Sequence, residues 1–382
     1  MTDATPHPPC RWGVLSTAFI GRKIWQGLAC AGNATLVAVA SRRQSVAQDF
    51  IDSCQATNPW SIPPEAIDGY QQLLDRPDID AVYIPLPTGL RTEWVLRAIA
   101  AGKHVLAEKP SAVDARQLRQ ILEAADRQGV QYMDNVMFMH SARLPLLRQV
   151  LDDSAQVGHI RHLTTHFSFC GDSGFRTSNI RVDASLEPYG CLGDLGWYCV
   201  RFLLWVLKYQ RPLEVRGRVL TSLQGSFSSA SVPGEFSAEL LFPEGVSASM
   251  YCSFVTGMQQ LARVSGTRGY LQLDDFVLPY HASELSFTRS QPVFLEDACD
   301  RIMEQHDQRF AVREFGSGRP ESQESLLLRR FSQIVASGEP DPNWGQVTLA
   351  TQLVLDALWA SSQADGEAVT LSAEDYPAPR VD

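Results

Sequence analysis

No C-x-x-C pair occurs among the eight cysteines, Cys10, Cys30, Cys54, Cys170, Cys191, Cys199, Cys252 and Cys299, and no Cys/His spacing suits zinc. No metal site is therefore expected, and scattered thiols fit a reducing, cytoplasmic setting. Runs of about 18 apolar residues are also missing, so no membrane span is expected. The N-terminus lacks a basic stretch followed by an apolar one, which argues against a secretory signal; residues 1–9 read as a frayed tail. A net charge of −10 is the wrong sign for a nucleic-acid partner. Any bound anion must be held locally, by backbone amides and a few arginines. What remains is a chain of 382 residues, 45% hydrophobic, long enough for two domains.

Residues 11–136 alternate short apolar runs with helical patterns. Strands are expected at 11–15, 35–40, 81–84, 105–107 and 131–134. Helices are expected at 20–31, from 46, at 92–101 and at 112–128, the last two ending at Gly102 and Gly129. This alternation predicts an α/β fold with a doubly wound parallel sheet, a Rossmann domain over residues 10–136. Beyond residue 140 the period changes to two. Stretches at 159–169, 213–220, 236–242, 246–254 and 262–265 predict a large, open, mainly antiparallel sheet in a second, α+β domain over 137–382. A helix is expected from Gly193 to about Lys208, a polar connection at 222–234, and a closing helix near 347–361.

The first strand runs into Ser16-Thr17-Ala18-Phe19-Ile20-Gly21, with Ser16, Ala18 and Gly21 in the three slots of a G-x-G-x-x-G fingerprint. Small residues there permit a tight turn and close approach of a pyrophosphate to the helix start. The second strand ends in Ser41-Arg42-Arg43, and no acid follows until Asp49. An acid at that point would hold a ribose 2′-hydroxyl, whereas arginines accommodate a 2′-phosphate, so NADP is expected and NAD less so. The third strand leads into Leu86-Pro87-Thr88, a stiff loop that would lie beside the cofactor.

Chemistry is suggested at two places. Glu108-Lys109-Pro110 puts a lysine at the carboxyl end of a parallel strand, where open α/β sheets bind ligands. In Gly193-Asp194-Leu195-Gly196-Trp197-Tyr198, Asp194 and Tyr198 stand at i and i+4 and share a helix face. Taken alone, Asp194 reads better as a capping residue. With Lys109 the set suits ketone/alcohol redox chemistry: a tyrosine serves as proton donor or acceptor if a nearby ammonium lowers its pKa from about 10.

The Ala-Glu-Lys-Pro strand end, the small-residue turn and the Gly-Asp-x-Gly-Trp-Tyr helix start, with Asn179-Ile180-Arg181 before it, together resemble the Gfo/Idh/MocA oxidoreductase family over nearly the whole chain. The closer likeness is to its dihydrodiol and D-xylose dehydrogenase branch. The resemblance implies Lys109, Tyr198 and Asp194 as catalytic residues, and Glu108 with Lys109 at the cofactor. It implies Phe138 and His140, the latter in a His-x-x-Arg pair with Arg143, near the substrate. Phe175, Asn179 and Arg181 are further substrate candidates. Thr88, Arg91 and Asn135 depart from the family pattern, which more often has Asn, His and Gly there. The expected activity is hydride transfer between NADP and a hydroxyl carbon of a sugar, cyclic polyol or dihydrodiol, in a homo-oligomer formed through the open sheet. A non-catalytic NADP-binding sensor and a redox-assisted glycosidase are the alternatives.

Overall fold

The computed structural model describes residues 8–281 and 283–380; most of the expected N-terminal tail lies outside them. Contacts divide the chain into two compact units, one running to His140 and taking in Ser317–Leu349, the other comprising Ser141–Gly316 and the chain from Ala350 onward.

The first unit begins β1 (Cys10–Leu15), α1 (Gly21–Ala31), β2 (Ala34–Ser41), α2 (Gln44–Gln55), β3 (Glu65–Asp68), α3 (Tyr70–Leu74), β4 (Ala81–Ile84), α4 (Thr88–Ala100), β5 (His104–Ala107), α5 (Ala115–Gln128) and β6 (Tyr132–Asp134). Its six strands are all parallel, in the order β3-β2-β1-β4-β5-β6. The order reverses between β1 and β4, and that switch point is where such sheets take their ligands. Both faces are covered by helices, so the strands are almost uninterrupted apolar runs: Ala81–Ile84 and Val105–Ala107 are wholly buried. Helix α4 begins at Thr88 rather than at the expected Thr92, because Pro87 ends the loop and supplies a fixed φ at the helix entry. Helix α5 begins later than expected, at Ala115, where the Asp114 side chain accepts from the Gln117 N–H at 2.7 Å.

The second unit opens with α6 (Arg143–Asp152), β7 (Ile160–Cys170), α7 (Ser173–Ser178), a π-helical turn at Leu192–Gly196 and α8 (Trp197–Val206). Strands β8 (Glu214–Leu223), β9 (Val232–Leu241), β10 (Ser247–Ser253), β11 (Val255–Gly266), β12 (Tyr270–Leu273) and β13 (Glu284–Ser290) follow. Next come an exposed hairpin, β14 (Val293–Asp297) and β15 (Asp300–Glu304), and then β16 (Asp307–Arg313). The chain closes with α9 (Gln323–Ser337), α10 (Asn343–Gln363) and β17 (Val369–Thr370). The large sheet has nine strands, β16-β13-β12-β11-β7-β10-β9-β8-β17; only the β7–β10 pair is parallel. Helix α8 packs on β7 and β10 and covers one face. The other face carries His162, Thr164, His166, Ser247, Ser249 and Tyr251, the alternate residues of the same strands.

A buried ion pair anchors α6. Arg143 Nη1 meets Asp275 Oδ1 at 2.6 Å, the two side chains being 2% and 7% exposed, and its Nη2 donates to the Asp275 carbonyl. The arginine of the His-x-x-Arg pair is thus built into the core of the second unit. Arg143→Ala is expected to destabilise the chain by about 3–5 kcal/mol in urea unfolding, because an unpaired buried carboxylate remains. An Arg143→Met/Asp275→Leu double variant should recover most of that loss.

Helix α9 belongs to the first unit and packs along α1. The fully buried Trp12 of β1 lies 5.0 Å from the Phe331 ring and donates from its indole N–H to Ser332 Oγ at 3.1 Å.

Candidate active site

In the first unit, the turn after β1 brings the chain into α1 through Ser16, whose φ of 121° is unusual for a side-chain-bearing residue. Its hydroxyl accepts from the Ala18 N–H at 3.1 Å and holds the turn shut. Thr17 and Ala18 are half-buried, and Phe19 stands 86% exposed with Ile20 beside it. At the end of β2, Ser41 is buried while Arg42 and Arg43 are exposed, their side chains making no hydrogen bond or ion pair among the described residues. Asp68, opposite Ser41 in the β2–β3 register, accepts from the Gln44 N–H at 3.2 Å. A closed small-residue turn at the switch point fits a nicotinamide dinucleotide.

The Glu108-Lys109-Pro110 turn is held from three strands. Glu108 Oε1 accepts from Tyr83 Oη of β4 at 2.5 Å and from Asn135 Nδ2, just past β6, at 2.6 Å; Oε2 accepts from the Lys109 N–H at 3.3 Å. The Lys109-Pro110 peptide is cis. Arg91, fully buried on α4, donates from Nε to the Leu86 carbonyl at 2.9 Å and from Nη1 to the Pro110 carbonyl. It therefore ties the Pro85–Pro87 loop, with buried Leu86 and Thr88, to the lysine turn. Tyr83 stands out in no local pattern, because only the strand order β4-β5-β6 brings it to Glu108. Arg91 and Asn135 drew notice in the sequence as departures from the family pattern, and both prove to be structural supports of the turn.

Phe138 is buried in the turn Met137–His140, and His140 stacks on Trp344, with ring centroids 4.7 Å apart and planes 19° from parallel.

In the second unit, Gly190 turns the chain into the π-helical segment with φ of 46°; a Cβ there would lie 2.3 Å from the Pro233 carbonyl oxygen, so only glycine fits. The expected continuous α-helix from Gly193 is instead π-helical up to Gly196. A one-residue widening of this kind is common at functional sites. It carries Asp194, whose Oδ2 accepts from Arg181 Nε at 2.7 Å, with side chains 40% exposed for Arg181 and 13% for Asp194. The Coulomb field of Asp194 raises the Arg181 pKa, against the opposing effect of burial, and the Asp194 hydrogen bond, Glu187 and lastly Tyr198 add to the rise. Tyr198, 7% exposed, packs edge-on against Phe167 at 5.6 Å. Asp194 and Arg181 thus form one ion pair, with Glu187 and Tyr198 adding smaller effects at the arginine.

The remaining candidates in this unit have local structural partners. Asn179 Oδ1 accepts from the Arg181 N–H at 3.0 Å and so shapes the turn that presents Arg181. Phe175 packs with Phe169 and Phe254 at 5.2 and 5.1 Å. Among the described residues no His/Cys/Asp/Glu cluster is suited to a metal ion, and no helix is long and apolar enough to cross a membrane.

A parallel sheet of dinucleotide-binding order, joined to an open sheet with a tyrosine-bearing helix on its face, defines a two-domain Rossmann-type oxidoreductase. Residues 10–136 match the family described as an oxidoreductase family with an NAD-binding Rossmann fold, and residues 146–272 match the GFO/IDH/MocA C-terminal domain. The chain belongs to the Gfo/Idh/MocA family. It is 30% identical over 353 residues to a dTDP-3,4-didehydro-2,6-dideoxy-alpha-D-glucose 3-reductase from Actinomadura kijaniata, covering 92% of this chain and 95% of that protein. It is 30% identical over 272 residues to a trans-1,2-dihydrobenzene-1,2-diol dehydrogenase from Mus musculus, covering 70% of this chain and 76% of that protein. Among solved structures, a 3-ketoreductase from Actinomadura kijaniata in complex with NADP and TDP-benzene is similar, with a TM-score of 0.74, 27% identity, and coverage of 92% of this chain and 98% of that one.

Proposed function

We propose that this protein is an NADP-dependent oxidoreductase that interconverts a CH–OH group and a carbonyl on a sugar, cyclic polyol or dihydrodiol. When bound, the nicotinamide ring accepts or supplies the hydride. Tyr198 is the acid/base: its phenol gives a proton to the substrate oxygen in reduction and recovers it in oxidation. Lys109 donates a hydrogen bond to that same oxygen, and Asp194, through Arg181, sets the electrostatics around the phenol. The observation that carries this reading is the Asp194–Arg181 ion pair at a π-helical turn that leads directly into the helix bearing the buried Tyr198. Relatives named as sugar-nucleotide 3-reductase and dihydrodiol dehydrogenase support the substrate class. A ketoreductase solved with NADP supports the cofactor. Solved variants of that ketoreductase with one tyrosine changed to phenylalanine, or one lysine to alanine, agree with a role for those two residue types.

The test is a panel of aldoses, inositols, dihydrodiols and nucleotide-linked ketosugars, run with NADP(H) and NAD(H) and followed by nicotinamide absorbance. Turnover with at least one class supports the reading; tight NADPH binding with no turnover across the panel points to a sensor. Within that assay, replacing both Arg42 and Arg43 by alanine should raise the dissociation constant for NADP roughly ten- to a hundredfold, the scale of lost charge-assisted hydrogen bonds, and leave NAD binding unchanged. Equal weakening of both cofactors would remove the 2′-phosphate from these arginines. We further propose that the polar outer face of the nine-stranded sheet mediates homo-oligomer formation.

A further inference from the structure

Helix α9 enters the first unit from far along the chain, and its first turn lies at the carboxyl end of β1. Two independent markers place it there. Phe331 of α9 packs on Trp12 of β1. Gln323 lies two helical turns before Phe331, about 12 Å along the axis. The same length of strand is about four residues, which carries from Trp12 to Ser16. The second marker is α1, which starts at that strand end. Lys23 in its first turn is ion-paired with Glu324, and the Ala31 carbonyl at its last residue accepts from Arg329 Nε at 2.8 Å. The two helices therefore run side by side in the same direction, with their starts abreast.

Gln323, Leu327 and Phe331 recur at i, i+4 and i+8 and form one stripe, and Phe331 fixes that stripe as facing the sheet. Gln323 is 1% exposed, and among the described residues neither its Nε2 nor its Oε1 has a hydrogen-bond partner. A buried carboxamide with both donor and acceptor unmet is unfavourable unless something else meets them. A helix start ordinarily favours an anion. Here Glu324 already sets a carboxylate in the first turn, paired with Lys23, so the matching group is neutral. It must offer an acceptor and a donor together. Besides β1 and β2, the helix packs against the turn Met137–His140 that follows β6, on the Lys109 side of the switch point.

We infer that Gln323 is a dinucleotide-binding residue, its carboxamide pairing with a neutral donor–acceptor group in the nicotinamide half of the cofactor, either the ribose diol or the ring carboxamide. This rests on the reading that the first unit binds a nicotinamide dinucleotide.

The test uses the full chain, with Gln323→Met as a near-isosteric replacement and fluorescence titration of NADPH and of 2′,5′-ADP, which lacks the nicotinamide half. The methionine variant should bind NADPH about tenfold more weakly, the scale of a lost buried hydrogen bond, and bind 2′,5′-ADP as the wild type does. The 3-acetylpyridine analogue of NADPH separates the two sources. Weakening carried over to the analogue assigns the ribose, and weakening confined to NADPH assigns the ring carboxamide. Unchanged NADPH affinity, or equal loss for both ligands, overturns the inference. A wild-type chain that binds 2′,5′-ADP but neither NADPH nor NADH would instead bring down the dinucleotide reading itself. If the methionine variant does not fold, hydrogen exchange on the wild type decides: amides in the first turn of α9 slow on adding NADPH, and their failure to do so overturns the inference.

Discussion

Replacing Tyr198 by phenylalanine should lower kcat by about 10²-fold or more while leaving the dissociation constant for NADPH unchanged, the usual scale for a lost acid/base. The ring is buried and packs edge-on against Phe167. Phenylalanine keeps that volume and that contact, so the variant removes one hydroxyl and little else. The substitution also leaves the Asp194–Arg181 pair in place. Steady-state kinetics beside an NADPH titration would check it. The pH profile adds a readout that a merely structural role would not move, because loss of the phenol should remove the alkaline limb of the kcat curve. Wild-type turnover in the phenylalanine chain would take Tyr198 out of the mechanism.

Lys109→Met should be of similar or greater consequence, lowering kcat by about 10²- to 10³-fold, the range found when one donor to a developing oxyanion is removed. Methionine retains most of the apolar stem and loses the ammonium. The turn itself should persist, because Glu108 is held by Tyr83 and Asn135 and the Pro110 carbonyl by Arg91. Arginine in the same position should restore little: its charge is spread over a planar fork that cannot take the place of a compact ammonium. Near-normal turnover in the methionine variant would leave the lysine a structural role only.

Five of the six parallel strands were legible because each is a short buried run beside an amphipathic helix, and those periods are local; β3 (Glu65–Asp68), exposed at both ends, was not. The site turn after β5 was legible for the same reason, since Glu108-Lys109-Pro110 ends such a run. The clamp on Glu108 was not. Tyr83, Glu108 and Asn135 are separated by 25 and 27 residues and meet only because β4, β5 and β6 are neighbours in the sheet. The π-helical turn was likewise hidden, because a single widened turn leaves Asp194 and Tyr198 on nearly the same face as an α-helix would. Strands β14 and β15 have no period to read: all their residues are exposed, and Phe294, Leu295, Ile302 and Met303 are interleaved with acids. Helix α9 did have a signal, with Leu327, Phe331 and Ile334 at helical spacing and Gly338 at its end. What no local pattern could reveal is that it packs beside α1, some 300 residues earlier in the chain.

That remote packing bears on how the molecule is made. Trp12 is made some 320 residues before the ring and hydroxyl that enclose it, Phe331 and Ser332. Until those residues emerge, the nascent nucleotide-binding sheet keeps a large indole without its cover, a liability for sticking to other chains. Completion of that sheet's cover therefore waits on some 320 further residues being made.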